Sequence, residues 1–313
     1  MSQVLSERLR EAEVLETKSA GGLQVFGLRW EVGGTAPPYR TLDEALAAGT
    51  LEVTEVTEEG AVPRLKVANR GDAAVFLMAG EQLVGAKQNR ILNTSLLVPA
   101  NSELAIPVSC VEAGRWGYAS PKFGSGGTMS HGKLRKMLSQ QTHDSYDAEG
   151  YPSSRQGEVW QEIDRKLGSM GTVSPSAALQ ETYEQHRARL QELLDSLGVS
   201  DRCHGAAFAA GERVLGADLF DRPETLAKLW TKVARAYAID ALEQPEAAAP
   251  PAGAGASLPA ERVKEWLRSA ADAPLQSYKS PGLGYDVRIR GAAVVGGSLV
   301  VEDRPVHAEL FGA

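Results

Sequence analysis

The chain has 313 residues and a formal net charge of −7, with 43% apolar and 23% charged residues. That length supports one large domain or two smaller ones around a substantial core. The acidic balance argues against a protein whose main task is gripping a nucleic-acid backbone, and leaves a local basic patch open.

Two cysteines, Cys110 and Cys203, are too few for a disulfide framework or a four-sulfur metal site. The first residues lack the apolar stretch of a signal peptide. No segment reaches the roughly 20 apolar residues that span a bilayer. The expectation is a cytoplasmic protein with both thiols free.

Residues 23–33 are β-branched and aromatic enough to predict a strand. Thr41, with Glu44 three positions on and Gly49 behind, predicts a short capped helix. From Leu51 to Val111 the apolar pattern has period two, broken by turns such as Asn69-Arg70-Gly71-Asp72 and Pro99-Ala100-Asn101-Ser102. Short strands at such spacing predict an antiparallel β-sandwich or partial barrel. Residues 117–132 are Gly-rich and are read as a loop, either mobile or functional.

Helices then dominate 133–243. They are expected at Lys133–Gln141, Glu158–Leu167 and Ser176–Leu197, with another opened by Pro223. Between the last two, residues 205–219 predict a hairpin turning at Ala210-Gly211-Glu212. Residues 245–257 are Pro/Ala/Gly-rich and read as a disordered linker. A helix at Pro259–Ala270 and strands at Tyr285–Ile289, Ala293–Val295 and Leu299–Val301 close the chain.

Runs of one element type indicate an α+β class. Its helical segment (133–243) is inserted before returning C-terminal strands (258–313), after a β-rich stretch at 20–116. The favoured organisation is a single composite domain over 1–313; two subdomains are the competing one.

The densest chemistry lies in Gly80–Trp116, where Glu81-Gln82, Gln88-Asn89-Arg90, Asn93, Cys110, Glu112, Arg115 and Trp116 interrupt strand-like sequence. Polar residues at this density are unexpected on a core strand. Glu81 and Glu112 are the acid/base candidates, each with a structural ion pair as its alternative role. Cys110 is either a nucleophile or a small buried residue.

Arg90 and Arg115 suit a phosphate or carboxylate, or else satisfy Glu81 and Glu112. Gln82, Gln88, Asn89 and Asn93 suit a base or sugar hydroxyls, or turn and strand-end bonding. Trp116 either stacks on a planar ligand or packs in the core. His131, ending the Gly-rich stretch, is the best histidine candidate. Neither HExxH, CxxC nor GxxxxGK(S/T) spacing occurs, so no metal site of sequence-local ligands and no cofactor are expected, while a metal site assembled from distant ligands stays open.

The run GEQLVGAKQNRILNTSLLV followed by IPVSCVEAGRW resembles the ARPP-1 domain family, named for association with ADP-ribosylglycohydrolase (ARG) and the rhodanese-phosphatase superfamily. The later stretch GERVLGADLFDRPETLAKLWTKVARAYAIDAL resembles it too, so the likeness covers most of the chain. The resemblance implies a link to ADP-ribose and nucleotide systems and assigns no catalytic residue.

Two functions follow. One is a small-molecule enzyme or ligand-binding domain, a hydrolase or transferase acting on a nucleotide-derived or ADP-ribose-like partner. The other is a non-catalytic protein-interaction module whose polar cluster is structural. Neither needs a membrane or nucleic acid, and self-association stays open.

Overall fold

The structure is a computed structural model that describes residues 2–33, 38–57, 63–243 and 257–313. The linker expected at 245–257 lies, apart from Ser257, outside the described residues. The chain divides into two compact units. One comprises Met1–Ala36, Arg187–Tyr278 and Tyr285–Ala313, and the other Pro37–His186 with Lys279–Gly284. Elements are numbered along the chain.

The first unit is built on an eight-stranded sheet of order β1-β2-β12-β13-β17-β16-β15-β14. Its strands are β1 (Glu13–Ala20), β2 (Leu23–Arg29), β12 (Gly205–Ala210), β13 (Arg213–Phe220), β14 (Leu275–Lys279), β15 (Tyr285–Arg290), β16 (Val294–Val301) and β17 (Arg304–Gly312). The C-terminal strands therefore return to the sheet begun by β1 and β2.

On one face Phe26, Leu28, Ala207, Leu219, Ile289 and Leu310 form an apolar core. Helices α1 (Ser2–Glu11) and α8 (Ala260–Ala271) cover it with Leu5 and Leu9, and with Val263, Trp266, Leu267 and Ala270. Those spacings of three and four put the apolar side chains on one stripe of each helix. The other face carries Phe208, stacked 4.2 Å from Tyr237 of α7 (Pro223–Leu242). Helix α6 (Arg187–Asp195) packs beside α7.

The second unit holds a six-stranded sheet, β11-β7-β8-β10-β5-β4, and a three-stranded sheet, β3-β6-β9. The strands are β3 (Tyr39–Thr41), β4 (Leu51–Glu55), β5 (Arg64–Asn69), β6 (Ala74–Leu77), β7 (Glu81–Gly85), β8 (Arg90–Leu92), β9 (Leu96–Val98), β10 (Ser102–Cys110) and β11 (Phe123–Met129). Both sheets contribute to one core, with Val53, Leu65, Leu83, Leu92, Ile106 and Val108 from the larger and Val75, Leu77, Leu96 and Val98 from the smaller. This is the sandwich-like α+β arrangement that the alternating stretch predicts, with β3 and β6 paired in parallel.

Helix α2 (Leu42–Ala47) starts at the expected capping box, in which Thr41 and Glu44 bond reciprocally. Helices α3 (Gly132–Glu149), α4 (Gln156–Ser169) and α5 (Leu179–Gln185) complete the unit.

Two local expectations are corrected. The Gly-rich 117–132 stretch is not only loop. Its middle is β11, paired with β7 from Phe123↔Gly85 to Met129↔Glu81 across an irregularity after Ser125. Backbone pairing needs no side-chain apolarity, so composition hides this strand. The single helix expected at 176–197 is two, α5 and α6, because the chain turns at His186 (φ −102°, ψ 13°). Tyr183 and Leu190 keep helical spacing although they belong to different units.

Candidate functional site

The pleat sorts the polar run onto two faces of the six-stranded sheet. Leu83 pairs with Arg90, and Arg90 with Cys110. Directly paired residues point the same way, so Arg90 and Cys110 share the core face with Leu83. Gln82, Ile91 and Ser109 form the next paired row and point to the opposite face. The candidates therefore do not converge on one hollow.

Arg90 anchors the core-face group and is fully buried. Its Nη1 donates to the Gln88 carbonyl (3.2 Å) and to Gln88 Oε1 (3.1 Å). The Gln88 amide is a hub: Oε1 also accepts from the Cys110 thiol at 3.2 Å, and Nε2 donates to the Glu112 carbonyl at 3.0 Å. Burial pushes the Cys110 thiol above its ordinary pKa and outweighs the pull of the Glu112 backbone and of Arg90. A buried protonated thiol is a poor nucleophile, so Cys110 fills its small-residue role here. The outward N–H and C=O of Cys110 both bond the Gln156 side-chain amide at 2.8 Å. That amide imitates the neighbouring strand β10 lacks at this point.

Glu112 follows the strand, and its oxygens are fully engaged. Oε1 accepts from Arg115 Nε (2.9 Å) and Ser176 (2.8 Å), and Oε2 from Arg115 Nη2 (2.6 Å) and the Asn89 amide (3.0 Å). Burial alone would raise its pKa, but these donors prevail and the net shift is downward. Arg115 also reaches the carbonyls of Gly85, Ala86 and Gly117 and the Asn89 side chain. The guanidinium thus staples the turn between β7 and β8 to the end of β10. A carboxylate held ionised by four donors stabilises structure and is badly placed to accept a proton at neutral pH.

Glu81 accepts the Met78 amide at 2.8 Å and is buried at the head of β7. Gly80 before it adopts φ +84°, where a Cβ would meet Ser130 and Arg135. Asn93 accepts from Ser109 at 2.5 Å. His131 precedes α3, buried, with Nε2 3.0 Å from Glu162 Oε1. Burial would raise the Glu162 pKa, but Arg165 and His131 hold it well below the carboxylate range. Gln82 is buried with no hydrogen-bond partner for either amide atom.

The rim beside Arg90 is exposed and aromatic. Trp116 is 52% and Tyr118 55% exposed. Lys87 Nζ lies 5.3 Å from the Trp116 ring and 5.2 Å from the Tyr118 ring, and the Arg90 guanidinium 5.9 Å from the Trp116 ring.

The sequence reading overlooked Glu55. Its side chain is 4% exposed and its Oε1 lies 3.9 Å from Arg90 Nη2. A signal existed: Leu51, Val53 and Glu55 share the inward period of β4, so a charge stands where an apolar residue belongs.

The first unit holds another buried polar group. His307 Nε2 is 3.1 Å from Asp218 Oδ1, and the Tyr237 hydroxyl donates to Asp218 Oδ2 at 3.2 Å. Arg288 lies 3.1 Å from Asp286 and 3.6 Å from Glu309. Among the described residues no group of three or more His, Cys, Asp or Glu is arranged to hold a metal ion, and no helix is long and apolar enough to cross a membrane.

These features define an α+β protein of antiparallel sheets with a satisfied polar clamp and an aromatic, cationic rim. The chain belongs to the ARPP-1 family, the ARG and Rhodanese-Phosphatase-superfamily-associated Protein domain, which matches residues 11–311. No curated protein and no solved structure matches it.

Proposed function

We propose that the second unit is a small-molecule-binding domain for a nucleotide-type ligand, one that carries both a planar ring and an anionic group. The observation that carries this reading is the rim, where two aromatic rings that burial has not claimed flank the Lys87 ammonium. Exposed aromatics are costly to leave in water and are favoured where a flat ligand covers them. The ammonium between them offers a counter-charge to phosphate. The family's association with ADP-ribosylglycohydrolases agrees with such a ligand.

In this reading Glu112, Arg115, Asn89, Gln88 and Cys110 hold the rim in place rather than react. Glu81, Asn93 and His131 support the sheet and its covering helices. The engagement of Glu112 by four donors favours binding over acid/base catalysis.

The test is calorimetric titration of the protein with ADP-ribose, AMP and ribose 5-phosphate. Trp116→Ala, which removes a half-exposed ring, should stay folded and weaken binding at least about fivefold, the loss of one stacked base. Undetectable binding of every probe, or unchanged affinity in Trp116→Ala, refutes the reading.

A further inference from the structure

We infer that Glu55 and Arg90 form a hydroxyl-reading subsite beneath Trp116, so that the ligand is recognised through a sugar hydroxyl. The inference rests on the binding reading above and names the part of the ligand that selects it.

Arg90 spends Nη1 on Gln88 and leaves Nε and Nη2 with no hydrogen-bond partner. Both Glu55 oxygens are likewise buried with no hydrogen-bond partner. The two groups attract across 3.9 Å, which is too far for a direct hydrogen bond. Buried charged groups left in this state cost free energy, whereas the neighbouring Glu112 and Arg115 are saturated. Orphaned donors thus face orphaned acceptors at one end of an otherwise apolar core.

The chemistry of a matching guest is restricted. A phosphate or carboxylate would satisfy Arg90 but set its charge against Glu55. An ammonium would satisfy Glu55 and repel Arg90. A hydroxyl does both, because its oxygen accepts from the guanidinium while its proton goes to the carboxylate. An oxygen about 2.8 Å from each charged atom fits a 3.9 Å separation with a near right angle at the hydroxyl. A vicinal diol would engage the second Glu55 oxygen and Nε as well.

Trp116, whose ring stands over Arg90, supplies an apolar face for the carbons of a sugar ring. Since the side chains of Arg90 and Glu55 are buried, the residues that cover them must move aside to admit the guest. The Lys87 ammonium stays at the surface for the ligand's anionic group.

The experiment titrates wild type with AMP, 2′-deoxy-AMP, 3′-deoxy-AMP, ribose 5-phosphate and 2-deoxyribose 5-phosphate, following heat and tryptophan fluorescence. At least one deoxy analogue should bind about tenfold or more weakly than its parent, the cost of leaving buried polar groups unpaired. Glu55→Gln, checked for folding by circular dichroism, should shrink that ratio, because its amide keeps one acceptor and turns the other into a donor. If the deoxy analogues bind as their parents do, the hydroxyl subsite is overturned and the binding reading survives. If no probe binds wild type, both are overturned. The wild-type comparison needs no variant, so a Glu55→Gln protein that fails to fold does not rescue the inference.

Discussion

Glu112→Gln keeps the volume of the side chain and replaces one carboxylate oxygen with an amide. Each oxygen faces one Arg115 nitrogen and one further donor, Ser176 on one side and the Asn89 amide on the other. Whichever oxygen is replaced, an N–H₂ then confronts an Arg115 N–H; on the Oε2 side it also confronts the Asn89 backbone N–H, whereas the Ser176 hydroxyl on the Oε1 side can turn to accept. Breaking a buried pair costs on the order of 3–5 kcal/mol. Arg115 keeps 22% of its side chain in solvent, which places the loss at the low end, about 3 kcal/mol. For a unit of this size the melting transition should fall by roughly 6–12 °C.

The pH dependence has a definite sign. Because Glu112 is held below its unfolded value, near about 4.3, its contribution is complete above that pH. It is lost as pH falls through the lower folded value. The neutral glutamine has no such loss. The gap between wild type and variant should therefore be widest near neutrality and narrow as pH drops below about 4. Differential scanning calorimetry from pH 7 downwards measures both. A gap under about 2 °C at pH 7, or one that stays constant into acid, would refute the claim that this carboxylate clamps the turn.

Further outcomes follow from other buried groups. Cys110 should label with iodoacetamide at pH 7.5 at least about tenfold more slowly in the folded protein than in urea, because burial keeps it a thiol; rapid native labelling would restore the nucleophile reading. Gly297→Ala would drive a Cβ into the Arg288 guanidinium. That guanidinium is 1% exposed and held by Asp286 and Glu309, so it cannot step aside freely. Urea unfolding should record a loss of about 1–3 kcal/mol, and a change below about 0.5 kcal/mol would mean the guanidinium is not pinned.

Local chemistry was legible wherever it acts within a few residues. The capping box at Thr41 and Glu44, the hairpin at Ala210-Gly211-Glu212 and the apolar stripes of α4, α7 and α8 all read directly from spacing. Helix α1, strand β1 and strand β17 were not foreseen. Strand β1 has no buried residue and lacks a clean apolar alternation, whereas β17 is buried on both faces and tolerates polar residues that find partners.

For the site, the sequence located the polar run and named both members of the Glu112–Arg115 pair, but it could not give Arg90 its neighbour. Arg90 faces Glu55, 35 positions earlier, because β8 and β4 present those residues to the same core face. That choice depends on strand register and sheet order. Shifting one strand by a single residue would send its side chains to the opposite face, and nothing within the 80–116 window encodes which partner strand lies where.

Sequence alone determined the α+β class, the family likeness and the concentration of polar residues, since composition, periodicity and turn chemistry are properties of short segments. Tertiary structure decided that Glu112 is saturated, that Cys110 is a buried thiol, that Gln82 and Arg90 lie on opposite faces, and that Glu55 stands beside Arg90. These are outcomes of pairing between segments remote in the chain, and burial and hydrogen-bond saturation exist only once that pairing is made.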